Sequence, residues 1–135
     1  AAIDLVPYLT DLAHKLVSER PGPHVSVHVD SVIQGAAVTV DQAVPLGIIV
    51  AELLTNSMQH AFPPGYAASV RLEISRRDGQ YSVLVADNGV GGDPAAPSRG
   101  IGMIIVRALT SQLDGALRVE QGGGMRVRLD FPVAA

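Results

Sequence analysis

Three groups of residues in this chain have the types and spacing to hold a phosphorylated ligand. Glu52, Asn56 and His60 follow one another at i, i+4 and i+8, so on a helix they form one polar stripe. A carboxylate and an amide oxygen stacked on one helix face can hold a hydrated Mg2+, a hard cation that takes oxygen ligands. Downstream, Asp87 is followed by Gly89 and Gly91, and a second glycine pair, Gly100 and Gly102, leads into Met103. Glycines permit close backbone approach, and the second pair opens a helix whose N-terminus can meet phosphate. Together the three groups describe a nucleotide site.

The elements that must position these residues can be read from periodicity. Leu5, Leu9, Leu12, Ala13, Leu16 and Val17 recur at helical spacing over 5–19, with Asp4 placed to cap and Pro21-Gly22-Pro23 as the stop. Val25, Val27 and Val29 alternate as a half-buried strand over 24–29, and 36–40 reads as another short strand. Leu46, Ile49, Val50, Leu53, Leu54 and Met58 mark a helix over 44–61, with Pro45 in its tolerant first turn. Strands follow around the Asp78-Gly79 turn, carried by Val70, Leu72 and Ile74 on one side and Tyr81, Val83 and Val85 on the other. Residues 88–99 lack periodicity and read as a loop, 101–112 as a helix, and 117–120 with 125–131 as a hairpin across Gly122-Gly123-Gly124. Helices interleaved with mainly hairpin-connected strands predict a two-layer α/β sandwich, with a mixed, mainly antiparallel sheet and helices on one face.

Bulk properties narrow the function. At 135 residues the chain is expected to form one domain over 1–135. A hydrophobic content of 47% against 17% charged residues argues for a packed core rather than disorder. The net charge of −3 argues against nonspecific nucleic-acid binding. Without cysteine there is no disulfide, thiolate metal site or cysteine nucleophile. No apolar run reaches the roughly 18 residues needed to span a bilayer, so no direct membrane contact is expected and the cytoplasm is the expected compartment.

The run Glu52-Leu53-Leu54-Thr55-Asn56…His60-Ala61 resembles the N box of the gyrase, Hsp90, histidine kinase and MutL ATP-binding superfamily. Asp87-Asn88-Gly89-Val90-Gly91 resembles its first glycine box, and Gly100-Ile101-Gly102-Met103 its second. The chain is most similar to the catalytic domain of bacterial sensor histidine kinases with a short ATP lid, a resemblance that spans nearly all of it. The resemblance implies a Bergerat-type ATP-binding fold, with ATP and Mg2+ as ligands. It also implies transfer of the γ-phosphoryl to a histidine on a separate dimerisation domain of the same parent protein, with a response regulator downstream.

The resemblance also assigns roles. Asp87 reads the adenine amine, although a turn residue bonding nearby amides has the same spacing. Asn56 ligates Mg2+, and Glu52 is the catalytic residue, holding an Mg2+-bound water, orienting the γ-phosphate or acting as general base. His60 contacts phosphate or packs beneath the nucleotide. Gly89, Gly91, Gly100, Gly102, Met103 and Arg99 line the ATP site, the last from a lid of eight residues. Two positions depart from the family pattern: Gln59 stands where a lysine is usual, and Met125 where a threonine is usual. The first removes a cation facing phosphate, at a cost of about 1.5–3 kcal/mol if a charge-assisted bond is lost, and Arg99 is the candidate to compensate. The glycine cluster 122–124 can equally be a hairpin tip. Two other readings remain: a degenerate domain used as a docking platform, and an anti-sigma serine kinase.

Overall fold

A computed structural model describes residues 2–22, 24–33, 35–60 (without the His60 side chain), 62–91, 100–120 and 122–134. Helix α1, Leu5–Glu19, buries Leu5, Leu9 and Ala13, one per turn, and ends where Arg20 turns extended ahead of Pro21. Asp4 occupies the N-cap position but makes no side-chain cap bond; the Leu5 N–H instead donates to the Ala36 carbonyl at 2.9 Å. That bond belongs to a small sheet in which strand β1, Ala2–Asp4, pairs antiparallel with β3, Ala37–Thr39.

The second helix, α2, runs Val40–His60, four residues ahead of the expected start. The cause is a reciprocal cap. The Gln42 N–H donates to Thr39 Oγ1 and the Thr39 N–H donates to Gln42 Oε1, both at 3.2 Å, so two of the unpaired amides at the helix start are satisfied. Pro45 therefore lies inside α2 rather than in its first turn. Tyr8 fastens α1 to this segment, its hydroxyl donating to the Ala43 carbonyl at 2.6 Å. Burial there raises the Tyr8 pKa. A Cβ on Gly47 would run into the same hydroxyl, so glycine sets how closely the two helices approach.

The main sheet has the order β2-β4-β5-β7-β6. Its strands are β2 (Ser26–Ser31), β4 (Ser69–Arg77), β5 (Gln80–Asp87), β6 (Ala116–Val119) and β7 (Arg126–Pro132). Only β2 and β4 pair in parallel; the other three pairs are antiparallel. The expected strand bounds move by one or two residues at most ends. Asp78 and Gly79 both take positive φ, 53° and 77°, as the tight β4–β5 turn demands. Val70, Leu72, Ile74, Val83, Val85, Val127 and Leu129 alternate into one buried face, over which the helices pack. On the opposite face Leu84 is also buried, flanked in register by Glu73 and Arg128, whose long stems can cover it. Helix α3, Gly102–Gln112, packs against α2 and buries Met103, Val106 and Thr110. The sheet thus ends Asp87 on β5 at the turn through Gly89 and Gly91, while Glu52 on α2 meets the start of α3.

Candidate nucleotide-binding site

Asp87 closes β5, and its carboxylate is buried. Oδ1 accepts from the Gly89 N–H at 2.9 Å and from the Met125 N–H at 3.0 Å. The Asp87 N–H in turn donates to the Met125 carbonyl at 3.0 Å. The turn-residue reading holds for one oxygen, which bonds two backbone amides. The other, Oδ2, is buried and makes no hydrogen bond. A buried acceptor without a partner costs about 1–3 kcal/mol, a deficit that a ligand donor would remove.

The wall opposite Asp87 is the β6–β7 connection. Gly124 has φ +144°, and a Cβ there would run into the Asp87 backbone carbonyl and stand 2.9 Å from Oδ1. Gly91, at φ +78°, packs on Gly124 in turn. The 122–124 cluster is thus more than a hairpin tip, since Gly124 is where two backbone segments meet at Asp87. Sequence reasoning missed Gly124 as a site residue, and the lone signal was its place before Met125. The Met125 side chain is itself buried, and its backbone supplies both bonds to Asp87. A hydroxyl at this position is not needed to hold the corner.

Asn88 fastens a further segment. Its Oδ1 accepts from the Ser69 N–H at 2.8 Å, its Nδ2 donates to the Ala67 carbonyl at 2.9 Å, and its own carbonyl accepts from the Tyr66 hydroxyl at 2.5 Å. The chain leaving α2 is thereby tied to the turn that follows Asp87.

On α2, Asn56 is buried at 3% exposure and Glu52, one turn earlier, is partly exposed. The Glu52 carboxylate stands where a Cβ of Gly102 would be, so the start of α3 lies directly against it. Ile101 at the α3 N-cap offers no side-chain cap, and a helix start in that condition presents free N–H groups and positive potential. Gly100 has φ +75°, a left-handed turn into the helix. Met103 is buried against the core, so it is a wall at most. Gln59 is exposed. Arg99 and the lid lie outside the described residues, as does the His60 side chain. The structure brings together Asp87, Gly89, Gly91 and Gly124 in one group and Glu52 with Gly102 in another. Among the described residues no cluster of three or more acidic, histidine or cysteine side chains is arranged to hold a metal. The oxygen donors of Asn56 and Glu52 suit a hard cation only if a ligand completes its shell.

Residues 41–135 match the family described as histidine kinase-, DNA gyrase B- and HSP90-like ATPases. The chain belongs to this family. It is similar to blue-light-activated histidine kinase 2 of Erythrobacter litoralis, at 36% identity over 98% of this chain and 39% of that protein. It is also similar to the sensor histidine kinase PdtaS of Mycobacterium tuberculosis, at 37% identity over 69% of this chain and 20% of that protein. The solved histidine kinase domain of the Erythrobacter litoralis EL346 blue-light activated kinase superposes with a TM-score of 0.82 at 33% identity, covering 97% of this chain and 62% of that one. The chain thus spans about two fifths or less of the two curated relatives named. Among the members of this ATPase family it is a histidine-kinase ATP-binding domain.

Proposed function

We propose that this chain is the catalytic domain of a sensor histidine kinase, with residues 1–135 acting as one unit. It binds Mg-ATP and passes the γ-phosphoryl to a ring nitrogen of a histidine on a separate helical dimerisation domain of the same parent protein. The bond from the γ-phosphorus to the β–γ bridging oxygen breaks, a phosphorus–nitrogen bond forms, and ADP leaves. The observation that carries this reading is Asp87 Oδ2, a buried acceptor without a partner at the mouth of a glycine-walled corner. Adenine offers an exocyclic amine to such an acceptor; guanine offers a carbonyl, which would leave two acceptors opposed.

Asn56 and Glu52 are the residues that would hold Mg2+, Asn56 directly and Glu52 through water. When bound, the ion neutralises phosphate charge during transfer. Glu52 also orients the γ-phosphate beside the start of α3, whose free N–H groups receive phosphate oxygens, while Gly89, Gly91, Gly100 and Gly102 let the backbone close on the ligand. His60 either meets phosphate or packs, and Arg99 reaches phosphate from the lid. A response regulator takes the phosphoryl onward. The cytoplasm, where ATP is plentiful, is the compartment that fits, and no helix among the described residues is long and apolar enough to cross a membrane.

A second reading has a specific observation behind it: 58% of this chain matches the serine/threonine-protein kinase BtrW of Bordetella bronchiseptica at 33% identity. The match is shorter than that to the histidine kinases, and one experiment separates the possibilities. Calorimetry with a non-hydrolysable ATP analogue, with and without Mg2+, is expected to show saturable, Mg2+-strengthened binding. Absence of binding would favour the docking platform. With binding in place, acid-labile phosphorylation of the parent protein's helical domain marks a histidine kinase, and acid-stable phosphoserine on a partner marks the alternative.

A further inference from the structure

A cavity of about 240 Å3 lies behind the Asp87 corner, with Arg20, His24, Val25, Phe62, Tyr66 and Ala68 among its lining residues. None of these belongs to the nucleotide boxes. Its wall carries an aromatic pair, Phe62 and Tyr66, with ring centroids 6.0 Å apart and planes inclined by 28°. Among the described lining residues the guanidinium is that of Arg20, with the imidazole of His24 also in the lining. One of its terminal nitrogens donates to the Met58 carbonyl in the last turn of α2, at 2.8 Å. No carboxylate pairs with Arg20 among the described residues, in contrast to Arg71, Arg118, Arg126 and Arg128, each of which has an acidic partner. A cation fixed in direction by one bond and lacking a counter-charge, beside an apolar aromatic wall, is complementary to a small aromatic acid. The pocket is open to solvent on one side, where Tyr66 is 42% exposed and Pro63, Pro64 and Gly65 are exposed, so a ring can enter it from the surface.

The cavity wall is bonded to the corner at three points. The Tyr66 hydroxyl donates to the Asn88 carbonyl, and the Asn88 side chain grips the backbone at Ala67 and Ser69, on either side of the lining residue Ala68. Asn88 sits between Asp87 and Gly89, whose mutual bond holds the unpaired carboxylate oxygen in place. A guest that orders residues 62–68 therefore acts on the Asp87 turn through hydrogen bonds two residues or fewer away.

We propose that this cavity is a second ligand site, for a small aromatic carboxylate, and that its occupancy is transmitted through Tyr66 and Asn88 to the Asp87 turn. The carboxylate pairs with the free edge of the Arg20 guanidinium and the ring packs on Phe62 and Tyr66. That this transmission tunes ATP affinity rests on the proposed reading of Asp87; the site and the transmission do not, so they are tested without nucleotide.

The test is a titration of the 135-residue chain with benzoate, followed by backbone amide chemical shifts. Saturable shifts are expected at Val25, Phe62, Tyr66 and Ala68, continuing to Asn88 and Gly89. Ala68→Leu, which fills the cavity, removes both sets. Tyr66→Phe, which keeps the ring and deletes the hydroxyl, keeps the first set and diminishes the second, since the Asn88 side chain still holds Ala67 and Ser69. Benzyl alcohol, without the charge, binds at least tenfold more weakly. The proposal is overturned by the absence of saturable shifts in the parent, by equal affinity for benzyl alcohol, or by shifts at Asn88 and Gly89 that Tyr66→Phe leaves undiminished. Shifts centred on Asp87 that persist in Ala68→Leu would also overturn it, placing benzoate in the adenine corner instead.

Discussion

One oxygen of Asp87 is consumed by the amides of Gly89 and Met125, so an amide in its place has different consequences at its two atoms. In Asp87→Asn the remaining oxygen can still accept both turn bonds, and the fold should persist by circular dichroism. The new NH2 group replaces Oδ2 and meets the adenine amine donor to donor. ATP and adenosine affinity should both fall at least ten- to a hundredfold, the loss of about 1.5–3 kcal/mol typical of a bond to a charged group. Unchanged calorimetric affinity would remove adenine recognition from this residue. Gln59 poses the opposite case. It is exposed, three residues past Asn56, and neutral where the family resemblance implies an ammonium. Gln59→Lys should tighten ATP but not adenosine, by an amount that shrinks between low and high salt as the added charge is screened. Equal tightening of adenosine would show that the gain is not electrostatic.

At the scale of elements, the corner depends on two backbones meeting where a side chain cannot fit. Gly124→Ala places a methyl against the Asp87 carbonyl, at a φ that L-residues rarely adopt. Urea denaturation should show a loss of about 1–3 kcal/mol, and adenosine binding should weaken together with ATP binding. A variant as stable as the parent would mean that the 122–124 turn can relax away without cost. The β6–β7 pair carries a separate, pH-readable contact. Arg128 donates to Glu120 at 2.7 Å, and this hydrogen bond, ahead of the surrounding arginine charges, holds the Glu120 pKa below its ordinary value. A carboxyl depressed in the folded state adds stability above its unfolded pKa and loses it as pH falls through the folded one. Glu120→Gln should therefore cost up to about 1 kcal/mol at neutral pH, since the pair is partly solvent-exposed, and nothing once the parent's carboxyl is protonated. A difference in urea midpoint that persists in acid would assign the loss to packing.

Which of these elements can be read from the residues depends on how local their cause is. Helix α1 and the β4–β5 hairpin follow from periodicity and the Asp78-Gly79 turn alone. The Thr39–Gln42 cap was also present in the sequence, yet Pro45 drew the expected helix start to the wrong side of it. Strand β1 had no local signal, because three residues gain their strand geometry only from β3, more than thirty positions away. Asp87, Gly89 and Gly91 stood out as a motif in the sequence. The contacts that make them a corner, Gly124 against Asp87 and Asn88 against Ala67, join segments about twenty or more residues apart and needed the fold.

Across the whole molecule, α2 and α3 turn one side to the core and leave large apolar side chains on the other. Val44 and Ile48 on α2 are 57% and 43% exposed, and Ile101, Ile104 and Ile105 at the start of α3 are 71%, 69% and 40% exposed. Scattered exposed aliphatics need no explanation, but with Val40 of α2, 48% exposed, these make six on α2 and around the start of α3, as a contact surface would have. On the proposed function the γ-phosphate is set against an acceptor histidine, so the surface next to that phosphate is where a helical acceptor domain is expected to dock. Ile104 is the sharpest test because so little of it is buried. Ile104→Gln should change stability by no more than about 0.5 kcal/mol, as other exposed substitutions do, and, adding no charge beside the phosphates, leave ATP-analogue affinity unchanged. Transfer of radiolabelled phosphate to the parent protein's histidine-bearing domain, supplied separately, should fall at least tenfold. The fall should appear as a weaker dependence of rate on acceptor concentration, because docking rather than chemistry has been damaged. Undiminished transfer would mean that the acceptor approaches from another side and that this apolar face serves a different contact.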